Sequence, residues 1–142
     1  MVYGIVGLKT HTKITLIVRN ETDGIQCYAH IGTGNYHIHT AKLYTDLSLF
    51  TCRTDITQDL VELFHFMTGK SLKHEYLKLL VAPVNMKARF LEMIQREKTN
   101  KQEHQPAQII AKMNSLEDRD ICEALYQASQ AGVPITLIVR GF

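Results

Sequence analysis

Several protein classes are excluded by what this sequence lacks. Its three cysteines, Cys27, Cys52 and Cys122, are odd in number, widely spaced and without a CxxC pair, which argues against a disulfide scaffold or a zinc ribbon and fits a reducing cytoplasm. Each is expected to be a small buried hydrophobe rather than a nucleophile. No apolar run approaches the roughly 20 residues of a transmembrane segment, and the apolar start has neither the basic flank nor the length of a secretory signal. Charge is nearly balanced, at a formal +2 with neutral histidines, so composition gives no case for a nucleic-acid partner. Any anion site must therefore be local. No stretch resembles a long disordered linker, and the 142 residues read as a single domain with no internal boundary, or as one piece of a larger fold.

What is present alternates between strand and helix periods. Lys13 to Arg19 is a β-branched run, Ile25 to Ile31 a second apolar stretch, and the turn residues Asn20 to Gly24 between them predict a hairpin. Leu43 to Cys52 offers a further short strand. Apolar residues at Ile56, Leu60, Leu63, Phe64 and Met67, with Gly69 beyond, predict a helix over Asp55 to Thr68. Leu77 to Ala82 reads as a strand closed by Pro83, and Asn85 as the cap of a helix that buries Met86, Phe90, Met93 and Ile94. The polar stretch Glu97 to Pro106 suits a helix end and loop. Gln108 to Met113, Leu116 to Gln130 with Gly132 beyond it, and Ile135 to Val139 then form a strand, a helix and a strand, for which parallel pairing is expected. The apolar final strand, with only Gly141 and Phe142 after its Arg140, gives the expectation of termini cut from inside a fold.

The chemistry centres on His11-Thr12-Lys13. Side chains two apart on a strand share a face, so His11 and Lys13 can converge on one ligand. A neutral imidazole is a good nucleophile toward phosphorus, and a nearby ammonium offsets the charge on phosphoryl oxygens. Alone, a three-residue pattern of this kind is common by chance, and the pair is better read as an exposed histidine beside an exposed lysine. Gly32-Thr33-Gly34-Asn35 follows the second strand next to His30; its glycines allow main-chain N–H groups to approach an anion, and Thr33 and Asn35 add short donors. A plain chain reversal is the other reading of that loop. Together the two motifs favour a phosphate site.

The stretches Tyr3 to Lys13, Tyr28 to Tyr36 and Thr40 to Asp46 resemble the catalytic region of the polyphosphate kinase family, whose members have a phospholipase D-like fold. Leu79 to Asn85, Ile109 to Ser115, Glu123 to Gly132 and Leu137 to Gly141 resemble the same family in the same order. The resemblance implies an α/β fold, a phospholipase D-like mixed sheet flanked by helices and incomplete here. It implies reversible transfer of the terminal phosphoryl of ATP to His11 and then to polyphosphate. On that resemblance His11 is the phosphohistidine, Lys13 and His30 belong to the phospholipase D-like segment, and Tyr44 and Arg140 match positions that contact ATP. It also places the magnesium-binding arginines before this chain and a second active-site histidine in a following domain, so the remainder of the kinase chain is the implied partner, with a homo-oligomer when intact. A cytoplasmic enzyme is implied, with a peripheral place at the inner membrane left open. The chain departs from the family pattern at His37-Ile38-His39, and the acidic member of the wider HxK motif is not at its usual spacing after Lys13.

Other assignments compete. His37 and His39, with His30, offer imidazoles suited to zinc, but no cysteine or carboxylate cluster completes the set. His65, His74 and His104 read as surface or loop residues. Apart from the resemblance, Arg140 is better read as a side chain reaching for solvent, and Tyr44 reads equally as a core ring with its hydroxyl at the rim; Lys112 is near the same cleft but is not chosen as a site residue. Beside the kinase reading stand a phospholipase D-like phosphodiesterase and a non-catalytic remnant that keeps the fold.

Overall fold

A computed structural model describes residues 4–5, 7–70 and 75–141. The chain falls into two compact units that divide between Leu79 and Leu80. This differs from the single unit read from the sequence. The physical reason is that hydrophobic periodicity reports each helix or strand by itself and carries no sign of which elements pack together.

In the first unit, β1 (Lys13–Glu21) and β2 (Gly24–Gly32) form the expected hairpin, with Glu21 opposite Gly24. Gly24 has φ +116°, a conformation that suits glycine at the exit of a two-residue turn. β3 (Ser48–Thr51) pairs antiparallel to the free edge of β2, giving the order β1-β2-β3. It is shorter than the expected Leu43 to Cys52, because a 3-10 turn (Thr40–Lys42) precedes it and Leu47 bonds to Thr33 through both its amide and its carbonyl. α1 (Thr54–Met67) then packs against β1 and β2, and buried Leu60, Leu63 and Ala29 supply the core. Gly69, at φ +72°, ends it as the sequence predicts.

Asp59 lies on the same helical stripe as Ile56, Leu60 and Leu63, and it is only 4% exposed. Its carboxylate accepts three consecutive backbone amides, from Leu77 at 2.8 Å, Lys78 at 2.6 Å and Leu79 at 2.9 Å. Those amides are thereby lost to any ladder, which is why Leu77 to Ala82 is not the strand that its composition suggests. Burial raises the pKa of the neighbouring Tyr76 phenol, and the Asp59 and Glu62 carboxylates add to the effect.

In the second unit, α2 (Met86–Gln102) and α3 (Arg119–Gln130) pack together, and β4 (Ile109–Ser115) pairs parallel with β5 (Ile135–Gly141). The expected strand, helix, strand crossover is present. Its core is Ile94, Leu125, Ala128 and Val133, with Ile109, Ile121 and Ile135 packed against it. Asn85 does stand at the start of α2, but its side chain accepts the Val81 amide at 2.6 Å instead of capping the helix. Phe90, expected in the buried stripe, is 41% exposed, since the core centres on Ile94 one turn later. Asp118 caps α3 by accepting the amides of Asp120 and Ile121, and Lys87 bridges Asp118 and Asp120. The Lys87 ammonium, and then the Ile121 amide, hold the Asp118 carboxyl below the ordinary carboxylate range. Antiparallel and parallel pairing are thus both present, in separate sheets.

The cysteines are corrected. Cys52 is exposed and Cys27 and Cys122 are half-buried, all three with free thiols. Cys52 stands just past β3 in the exposed approach to α1, and Cys27 pairs with Val18 on a part of the sheet that α1 leaves open. No helix among the described residues is long and apolar enough to cross a membrane.

Candidate active site

Strand register builds the site. Lys13 lies directly across from Gly32, Thr15 from His30, and His30 from Phe50, so Lys13, Thr15, His30, Gly32 and Phe50 share one face of the first unit's sheet. His11, two residues before Lys13, continues toward that face. Ile14, Leu16, Ala29 and Ile31 point to the other face, with Ala29 buried and the other three half-buried.

His11 and Lys13 meet as the sequence predicts. His11 is exposed and Lys13 is only 8% exposed. The Lys13 ammonium lies 3.1 Å from Nδ1 and 3.2 Å from Nε2 of His11, and it also donates to the His11 carbonyl. A donor aligned with one ring nitrogen's lone pair would be far from the other nitrogen. Near-equal distances therefore place the ammonium beside the ring without committing either nitrogen to a well-aligned bond. Among the described residues no carboxylate forms an ion pair with Lys13. A buried cation held by neutral acceptors keeps its charge available for an anion.

His30 stands on the same face, one rung along. Its Nδ1 is 2.6 Å from the Tyr36 hydroxyl, which in turn accepts from Thr15 Oγ1 at 3.1 Å. Phe50 lies against the ring at a centroid distance of 4.4 Å and Tyr36 at 5.4 Å. Thr15 and Tyr36 were not among the residues singled out from the sequence. Thr15 had a signal, since it is two residues beyond Lys13 and so on the same strand face; Tyr36 had none, because only the folded loop brings it back to His30.

Within the Gly32 to Asn35 loop, Thr33 is tied to the segment that leads into β3. The Thr33 amide donates to the Leu47 carbonyl at 3.0 Å, its hydroxyl donates to Asp46 Oδ1 at 2.7 Å, and the same hydroxyl accepts the Leu47 amide at 3.0 Å. Both donors of Thr33 are spent inside the fold, which corrects its place in a phosphate loop. A Cβ at Gly34 would clash with Asp46 Oδ2 and lie 2.6 Å from its Cγ, so the Asp46 side chain, held by Thr33, would have to move. Gly32 gives room to His30, whose Cε1 a Cβ would meet at 3.2 Å. Asn35 is exposed, and its carbonyl accepts the His37 amide at 2.8 Å. Replacing Gly34 by alanine is expected to push the Asp46 carboxylate off its seat and lower stability by about 1–3 kcal/mol. Urea denaturation checks this, and an unchanged midpoint would remove the steric account of this glycine.

The remaining residues are placed unit by unit. Tyr44, 53% exposed, follows the 3-10 turn of the first unit, whereas Arg140 is near the end of β5 in the second. Tyr44 is therefore not a core ring. Lys112 is exposed on β4. The His37 and His39 rings lie 5.5 Å apart, and His37 Nδ1 accepts the Thr40 amide, so the His37 side chain is engaged in forming the 3-10 turn. Among the described residues no group of three or more His, Cys, Asp or Glu side chains is placed to hold a metal ion. His65 and His104 are exposed, while His74 lies outside the described residues.

Known proteins align with both units. The family model described as polyphosphate kinase C-terminal domain 1 matches residues 1–73, and the one described as C-terminal domain 2 matches residues 79–142. The two matches adjoin where the structure divides, and the stretch from Leu79 onward matches the second domain model. A polyphosphate kinase of Synechocystis is 59% identical over 99% of this chain, and one of Dictyostelium discoideum is 48% identical over 98%. The crystal structure of a polyphosphate kinase from Porphyromonas gingivalis superposes with a TM-score of 0.89 at 38% identity, covering 99% of this chain and 22% of that one. This chain spans 19% of the Synechocystis protein and 13% of the Dictyostelium protein. With domain models matched in order along both units, and the His11–Lys13 pair on the sheet face of the first, the chain belongs to the polyphosphate kinase family.

Proposed function

We propose that this chain is the nucleophile-bearing part of an ATP:polyphosphate phosphotransferase. A ring nitrogen of His11 attacks the terminal phosphorus of ATP; the N–P bond forms as the bond to the leaving oxygen of ADP breaks. The phosphoryl group then passes from His11 to the end of a polyphosphate chain, and both steps are reversible. What supports the reading is the buried Lys13 ammonium, free of any carboxylate ion pair among the described residues, held against an exposed imidazole. Phosphoryl transfer depends mainly on alignment and neutralisation of charge, and this pair supplies a nucleophile and a cation on one strand face. His30 adds a donor one rung away.

Tyr44 and Arg140 are assigned to ATP on the family resemblance. Magnesium is assigned to groups outside this chain; the described residues present no cluster of His, Cys, Asp or Glu fitted to it. The remaining partners are ADP, polyphosphate, the rest of the kinase chain and a second copy of the whole enzyme, in the cytoplasm. By itself the 142-residue chain is expected to turn over slowly, because a clamp drawn from a fifth of the enzyme leaves the phosphoryl charge poorly neutralised. The test is incubation of a full-length polyphosphate kinase carrying this segment with ATP labelled at its terminal phosphate. A phosphoramidate label, acid-labile and base-stable, is expected; a protein that never takes up label would end the reading.

A further inference from the structure

We infer that Tyr36 is a positioning residue that fixes the tautomer of His30, so that His30 presents Nε2–H as a hydrogen-bond donor at the Lys13 end of the sheet face. The second half of this statement rests on the reading of His11 as the phosphoryl acceptor; the first rests on geometry alone.

A tyrosine hydroxyl carries one proton. The Tyr36 oxygen accepts from Thr15 Oγ1 at 3.1 Å, which leaves that proton for His30 Nδ1 at 2.6 Å. An unprotonated imidazole nitrogen is a strong acceptor, and a phenol is a better donor than an aliphatic alcohol, so the short contact is O–H to N. A neutral histidine has one N–H. With Nδ1 accepting, it must be at Nε2.

The position of Nε2 follows from Gly32. A Cβ at that residue would lie 3.6 Å from His30 Nε2 and 3.2 Å from Cε1, so the ring leans over the bare Cα of Gly32. Gly32 is directly across from Lys13 in the β1–β2 ladder. The glycine thus lets an imidazole from one rung reach the next, where the Lys13 ammonium lies against His11. Phe50, tilted 40° against the ring, closes a second side and limits its rotation. Without the Tyr36 hydroxyl, His30 would populate both tautomers, and one of them would turn a lone pair toward an anion. That repulsion is what Tyr36 removes.

The experiment uses the 142-residue chain with nitrogen-15 histidine, read by NMR at about pH 8.5, above the ordinary imidazole range near 6.5. The expected His30 pattern is an acceptor-type resonance at Nδ1 and a protonated, pyrrole-type resonance at Nε2. In Tyr36→Phe both are expected to move toward tautomer-averaged positions while the other imidazoles stay in place, which also reports that the chain has folded. A wild-type His30 protonated at Nδ1, or a variant with an unchanged pattern, overturns the inference. In a full-length kinase carrying the segment, Tyr36→Phe is expected to slow labelling of His11 about tenfold with the KM for ATP unmoved. An unaltered labelling rate beside a shifted tautomer would overturn the donor role. Absence of label in the unsubstituted kinase would instead count against the phosphohistidine reading, and the NMR result would still decide the tautomer.

Discussion

Replacing Lys13 by methionine in a full-length kinase carrying this segment is expected to slow formation of the phosphohistidine by about 10²–10³-fold. Methionine keeps most of the length and apolar bulk of a side chain that is only 8% exposed, so the fold should tolerate it. What disappears is the ammonium beside both ring nitrogens of His11. The attacking imidazole then meets phosphoryl oxygens whose charge has lost its nearest counterweight in this chain. Single-turnover labelling reads the loss, and thermal denaturation separates it from unfolding. A variant that labels at the wild-type rate would show that neutralisation comes from elsewhere, and Lys13 would be reduced to a packing residue.

The second large effect concerns stability. Asp59→Asn is expected to destabilise the first unit by about 3 kcal/mol. The carboxylate accepts the amides of Leu77, Lys78 and Leu79 through two oxygens, at 2.6–2.9 Å. Asparagine retains one carbonyl oxygen and turns an N–H₂ toward amides that are themselves donors. At least one part-buried donor loses its partner, and a repulsive contact replaces a charge-assisted one. Urea denaturation checks the size of the effect; a change below about 1 kcal/mol would mean that water takes over the three amides at little cost.

Asp59 also shows what was not legible in the sequence. The period of Ile56, Leu60, Leu63, Phe64 and Met67 predicts α1 well, and a carboxylate inside that stripe is visible by spacing. Nothing local tells which amides it will meet, because they lie 18 to 20 residues onward. The same amides explain why Leu77 to Ala82, strand-like by composition, is not a strand. Where structure depends on a nearest-neighbour period, as in β1, β2, α1, α3 and the parallel β4–β5 pair, the sequence reading agrees with the fold. Where it depends on side chains closing distant loops, it does not.

The site divides in the same way. His11 and Lys13 converge because strand parity is a local rule, and Thr15 could have been added by that rule. The Gly32 to Asn35 loop suggested an anion cradle because glycines and short polar residues are shared by cradles and by tightly packed turns. Its contacts run to Asp46 and Leu47, more than a dozen residues away, and they show Thr33 and Gly34 holding the loop in place. Gly32 has its own reason, the imidazole above it. The division between Leu79 and Leu80 was equally hidden, since both sides carry ordinary alternating elements and no change of composition marks the junction.

The most direct test is to find the residue that carries the phosphoryl group. After brief exposure of a full-length kinase bearing this segment to ATP labelled at the terminal phosphate, digestion under alkaline conditions should recover the label on the peptide containing His11. The same protein with His11→Asn should give none. Label that persists in that variant, or that maps to His30, His37 or His39, would contradict the account.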